Sequence, residues 1–204
     1  MISSPQQEQT VNPEPTNAHS LSDIFMGLGW CRKKVESSGF LGFGGGIEEV
    51  AVNLDASCLL FNKSGRLVDQ VCTEQLQSQC GAIGHSGDDR TGGGIDTENE
   101  RITINLPYLP AAVETLVFTV TSPDGEPFSA IPHAFCLLAD AISDAELFRY
   151  ELSIDGGDYT ALILAKLYRD GDEWKLHPIG KRAWARHYEE LMPLIQEYLY
   201  RTDY

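Results

Sequence analysis

The sequence predicts an all-β protein, an antiparallel β-sandwich with acidic loops and a C-terminal amphipathic helix, and three observations carry that expectation. Roughly eight to ten short apolar or alternating runs are separated by Pro, Gly and Asp clusters, the spacing of a sandwich. The 19 Gly and 10 Pro favour turns over long helices. No helical stretch links one run to the next, which excludes the crossovers that a parallel sheet requires.

Taken in order, residues 1–20 are rich in Ser, Gln, Pro and Asn, with neither a basic start nor an apolar stretch, and read as a disordered leader rather than a signal peptide. Ile24 to Trp30 reads as a first strand, bent at Gly27 and Gly29. Ser37 to Gly46 holds Gly39, Gly42, Gly44, Gly45 and Gly46 and reads as a flexible loop. It is not a phosphate cradle, because Ile47 takes the last Gly position of GxGxxG and no Lys-Ser or Lys-Thr pair follows. Val50 to Phe61 reads as a strand, and Asn62 to Gly65 turns it back into Leu67 and Val68 as a hairpin.

Further strands are expected at Arg101 to Leu106, Leu116 to Thr121, Ala134 to Ala139, Glu146 to Leu152, Thr160 to Tyr168 and Trp174 to Ile179. Ala161 to Tyr168 carries helix formers, but its length and the Asp170-Gly171 turn that follows favour a strand. From Lys181 onward, Trp184, Tyr188, Leu191, Ile195 and Tyr198 recur at helical spacing, and Pro193 is expected to kink or restart that helix. The chain thus divides into a leader (1–20), one sandwich domain (21–180) and a helical tail (181–204).

Thirty Asp and Glu against 15 Lys and Arg give a net charge of −15, which repels nucleic acid and anionic membranes and attracts cations. No run approaches the roughly 18 consecutive apolar residues of a membrane span. Five cysteines, Cys31, Cys58, Cys72, Cys80 and Cys136, are odd in number and lack CxxC spacing, so neither a disulfide framework nor a zinc knuckle is indicated and a reducing, cytoplasmic setting is expected.

The chemistry concentrates in HSGDDRTGGGIDTENE, His85 to Glu100, where five carboxylates (Asp88, Asp89, Asp96, Glu98, Glu100) face one arginine. Calcium takes several oxygen ligands, so carboxylates mixed with Thr, Asn and backbone carbonyls suit it, and glycines let the chain wrap a small sphere. Zinc or copper would call for His and Cys, and magnesium for stricter octahedral geometry. The loop is no EF-hand, because Arg90 stands where an oxygen ligand belongs. An acidic Gly-rich loop can equally be a solvated turn.

The run HSGDDRTG at His85 to Gly92, with NLDAS at Asn53 to Ser57, GLGW at Gly27 to Trp30, FRYEL at Phe148 to Leu152 and LYRDGDEWKLHPIG at Leu167 to Gly180, resembles the TerD family of tellurium-resistance and stress proteins. That resemblance implies a β-sandwich binding two calcium ions between acidic loops, with no established catalytic activity. It implies ligands at Asp55, the second aspartate of the family's Asp-Leu-Asp-Ala-Ser strand, and at Asp88, with Glu98 and Glu100 in the cluster closing the loop. Asp89 and Asp96 complete the candidate metal set. The chain departs from the family at Cys31, Asn53, Glu74, Gln75, Asp89 and Gly93, and each lost oxygen ligand implies a weaker or missing site.

The expected function is therefore a calcium-binding stress-response module that acts through ion-stabilised loops and through contacts with other proteins. The alternative is a scaffold of the same fold with a degenerate calcium site. No enzyme is expected: His85 and His133 lie in turn-like settings, and no nucleophile motif such as GxSxG appears.

Overall fold

The structure is a computed structural model that describes residues 21–37 and 46–200. Its strands are β1 (Asp23–Gly29), β2 (Lys33–Ser37), β3 (Gly46–Val50), β4 (Asp55–Phe61), β5 (Leu67–Val71), β6 (Ile83–His85), β7 (Glu100–Asn105), β8 (Thr115–Thr121), β9 (Phe135–Asp140), β10 (Glu146–Tyr150), β11 (Ala161–Asp170) and β12 (Glu173–Ala183). A single helical turn, α1 (Leu152–Asp155), precedes β11, and α2 (Tyr188–Leu199) ends the described chain. The leader, most of the expected glycine loop and the last four residues lie outside the described residues.

Two five-stranded antiparallel sheets, ordered β10-β9-β1-β7-β6 and β12-β11-β8-β4-β5, face each other, and β2 pairs with β3 as a separate ribbon. The period-2 pattern sorts the side chains as a sandwich requires. Ile24, Met26 and Leu28 of β1 and Ile102 and Ile104 of β7 meet Ala56, Cys58 and Leu60 of β4 and Leu116, Phe118 and Val120 of β8 in one buried core. The other face of the second sheet, through Leu59, Phe61, Val117, Ala161 and Ile163, packs against Leu191 and Ile195 of α2. The apolar face of the tail is thus buried on its own domain, at about 1.5–3 kcal/mol for each fully buried aliphatic side chain.

Several sequence expectations are corrected. α2 starts at Tyr188 rather than Lys181, because Lys181, Arg182 and Ala183 extend β12 by pairing with Ile163, Leu162 and Ala161. Trp184 is consequently not on the helix; it is largely exposed and its ring lies 5.2 Å from that of Tyr159. The helix runs unbroken through Pro193, which stands between the buried anchors Leu191 and Ile195. Val50 to Phe61 is not one strand, since residues 51–54 separate β3 from β4. The hairpin after β4 forms as expected, with Asn62 Oδ1 accepting the N–H groups of Ser64 and Arg66 and Gly65 at φ +70.

The register of β1 with β7 and β9 runs without a shift through Gly27. Gly29 is required by close approach, since a Cβ there would lie 2.4 Å from the Thr97 carbonyl oxygen, while one on Gly27 would meet the Glu98 carboxyl group at 2.7 Å, the movable end of a side chain. The acidic loop lies directly on the first strand. Among the described residues no helix is long and apolar enough to cross a membrane.

Candidate metal centre

The site forms where the two sheets meet at one end of the sandwich. Asp55 opens β4, with the buried Val52 and Leu54 on the approach and Thr121 of β8 opposite it in register. Glu100 opens β7 in the other sheet, and its buried side chain reaches across: Oε2 accepts the Ala56 N–H of β4 at 2.9 Å, and Oε1 accepts the Asp89 N–H at 3.2 Å. Asp88 follows β6, from which the chain departs through Gly87 at φ +115, a backbone conformation open to glycine. That departure is pinned by Ser86, whose N–H donates to the Arg101 carbonyl and whose Oγ accepts the Arg101 N–H.

One carboxylate oxygen from each of Asp55, Asp88 and Glu100 lies within 4.8 Å of the others. Two unit charges at that separation repel by on the order of 3 kcal/mol at an effective dielectric near 20. The strain is visible on Asp55: burial, then the neighbouring charges of Glu100 and Asp88, push its carboxyl up to about 6. The exposed Arg90 lies near, and its Nε donates to Asp88 Oδ2 at 2.6 Å.

The remaining sequence candidates are used otherwise. Asp89 builds the loop: Oδ1 accepts the Thr91 N–H and Oγ1–H, both at 2.8 Å, and the Gly92 N–H, while Oδ2 accepts from Asn99 Nδ2 at 3.0 Å. Burial works against its ionisation, but these hydrogen bonds from Asn99, Thr91 and Gly92 outweigh it and hold its carboxyl below the usual range. Glu98 lies on Gly27 and accepts from Arg101 Nε at 2.6 Å. Asp96 is exposed at φ 57 and lies toward Cys31, whose thiol is raised by burial and then by the charges of Asp96 and Glu49. The structure therefore brings together Asp55, Asp88 and Glu100, and leaves Asp89, Asp96 and Glu98 outside that cluster.

Two residues join the site that sequence reasoning passed over. Asn53 reads in sequence as a lost carboxylate, yet its Nδ2 faces Asp55 Oδ1 at 3.4 Å, and its Oδ1 is buried without a hydrogen-bond partner among the described residues. An unpaired buried amide oxygen on a residue that touches Asp55 fits the all-oxygen donor set of a hard cation. His85 reads in sequence as a histidine in a turn-like setting, with no role at a metal site. It is fully buried against Glu100, with 3.4 Å between Nε2 and Oε2. The alternation of Ile83, Gly84 and His85 signals the inward direction, but three residues are too few to announce a strand.

The loop is anchored on Trp30. Its indole Nε1 donates to the Val52 carbonyl at 2.8 Å, and its backbone N–H donates to Asn99 Oδ1 at 2.9 Å, joining β1, the approach to β4 and the acidic loop.

Comparison with known proteins agrees with this architecture. A TerD domain model matches residues 4–198, beyond both ends of the segment that carries the motifs. Tellurium resistance protein TerZ of Serratia marcescens is 36% identical over 187 residues, covering 91% of this chain and 92% of the relative. General stress protein 16U of Bacillus subtilis is 32% identical over 179 residues, covering 84% and 86%. Among solved structures, a Streptomyces coelicolor homologue of the telluride resistance protein TerD superposes with a TM-score of 0.66 at 18% identity, covering 81% of this chain and 92% of that one.

Proposed function

Since this chain belongs to the TerD family, whose relatives are tellurium-resistance and stress proteins, we propose that it is a calcium-binding stress-response module without catalytic activity. The observation that carries the reading is the convergence of Asp55, Asp88 and Glu100 from two sheets and a loop, with Asn53, whose buried amide oxygen is unpaired, in contact with Asp55. Those four side chains would hold the ion, completed by backbone carbonyls or water. When bound, calcium supplies positive charge against the mutual repulsion of three carboxylates. The chain's own part is to fix two strand starts and one glycine turn so that the oxygens stay together. Glu100 links the sheets, so an ion there stiffens the end of the sandwich and the surface of the Asp88 to Glu100 loop, on which another protein would dock, within the cytoplasm.

One observation favours the alternative of a metal-free scaffold: Arg90 already gives Asp88 a counter-charge. Calorimetric titration of calcium into chelator-stripped protein separates the two. The proposal expects saturable binding with whole-number stoichiometry, weakened in Asp88→Ala and Glu100→Gln. Heat at the level of the dilution blank up to millimolar calcium would favour the scaffold.

A further inference from the structure

The pair His85 and Glu100 is unusual for a net acidic surface module, because both side chains are fully buried and face each other across adjacent strands. The tautomer of His85 follows from its surroundings. Nδ1 accepts the Gly87 N–H at 3.0 Å, so in the neutral ring the proton resides on Nε2. That Nε2 lies 3.4 Å from Glu100 Oε2, close enough for charge contact but outside hydrogen-bond geometry, and it has no hydrogen-bond partner among the described residues.

Counting acceptor positions on Glu100 shows what this contact does. Oε2 accepts the Ala56 N–H and has the buried His85 imidazole against its other side, with Nε2 at 3.4 Å. Oε1 has the Asp89 N–H alone, which leaves one lone pair. Resting on the calcium reading above, we infer that His85 is the positioning residue of the site: it fixes the Glu100 carboxylate so that Oε1, and not Oε2, is presented toward Asp55 and Asp88. The same imidazole, through Nδ1, shapes the turn at Gly87 that delivers Asp88. One ring thus sets the aim of two of the three carboxylates. Groups in this outer layer commonly govern metal affinity by about ten- to hundredfold without touching the ion.

The test compares wild type, His85→Leu and His85→Gln by calorimetric calcium titration, with ion-free melting temperatures recorded beside it. Glutamine returns an N–H donor near the Nε2 position, and leucine keeps bulk without one. The inference expects affinity to fall about ten- to hundredfold in His85→Leu and to recover most of the way in His85→Gln. Equal affinity in wild type and His85→Leu overturns it, as does equal loss in both variants, which marks His85 as packing alone. If wild type binds no calcium, the calcium reading itself fails, an outcome distinct from these. Should His85→Leu not fold, nitrogen-15 spectra of the wild-type imidazole decide. An Nε2–H tautomer whose resonance shifts when calcium is added supports the inference, and an Nδ1–H tautomer or an unmoved resonance overturns it.

Discussion

The two ends of the acidic loop and its middle are built from the same residue types and do opposite work. At the ends, Asp88 and Glu100 converge with Asp55, so each carboxylate faces two others, even though Arg90 reaches Asp88 and two backbone N–H groups reach Glu100. In the middle, Asp89 receives four hydrogen bonds, Glu98 has Arg101, and Asp96 is exposed. Carboxylate density does not separate these groups. Burial and the supply of donors do: an acid surrounded by N–H groups is content as an anion, and one that shares a half-buried corner with two others requires a cation or a proton.

Glu100→Ala tests that difference with the largest expected effect. It removes a proposed ligand and orphans the buried N–H of Ala56 and the half-buried N–H of Asp89, so on the proposed function calcium binding falls at least about a hundredfold and the ion-free fold loses roughly 2–3 kcal/mol by urea denaturation.

Asp55→Asn comes next and should split the two readouts. The folded-state pKa of Asp55 is raised from 3.8 to about 6, so the native state binds the proton more tightly than the unfolded chain. Ion-free stability therefore falls as pH rises across that window, and at pH 7 the ionised carboxylate is a net cost. Removing it stabilises the ion-free protein by about 1 kcal/mol once screening at this partly exposed group is allowed for, while calcium affinity drops. In wild type the same proton competes with the ion, so calcium affinity falls as pH drops through about 6, which calorimetry at pH 5 and 7 checks.

Asp89→Ala should be blind to calcium. It loses the turn bonds to Thr91, Gly92 and Asn99, lowering stability by about 1–2 kcal/mol equally in chelator and in calcium. Asp96→Asn is the smallest, within about 0.5 kcal/mol and with unchanged affinity, because the side chain is exposed, lies outside the cluster, and asparagine also accepts the left-handed backbone at this position. A strong calcium defect in either would break the division between ends and middle.

The sandwich was legible because its strands read as short apolar runs and its turns carry strong chemistry, as at Asn62 to Gly65 and Asp170-Gly171. The ribbon of β2 and β3 was not, since Lys33, Lys34, Glu36, Glu48 and Glu49 show no apolar period and its residues remain largely exposed. The helix start was misplaced because Lys181 to Ala183 fit helical spacing but gain more by pairing along β11. Gly27 and Gly29 were legible as special but not in kind, because a glycine under a loop and a glycine at a bend look alike in sequence. In the site, the family motifs pointed to Asp55 and Asp88, and to Glu98 as much as to Glu100. Nothing in sequence separated Glu100 from Glu98, since that depends on which groups the fold aims at each acid.

The central claim is tested most directly by melting wild type and Asp55→Asn side by side at pH 7, in chelator and in excess calcium. The account predicts a crossing. In chelator Asp55→Asn melts higher, and at about a hundredfold excess of calcium over Kd wild type gains about 2.7 kcal/mol, roughly 5–10 °C, and melts higher instead. Parallel curves, with the same order and the same gap in both conditions, would contradict it.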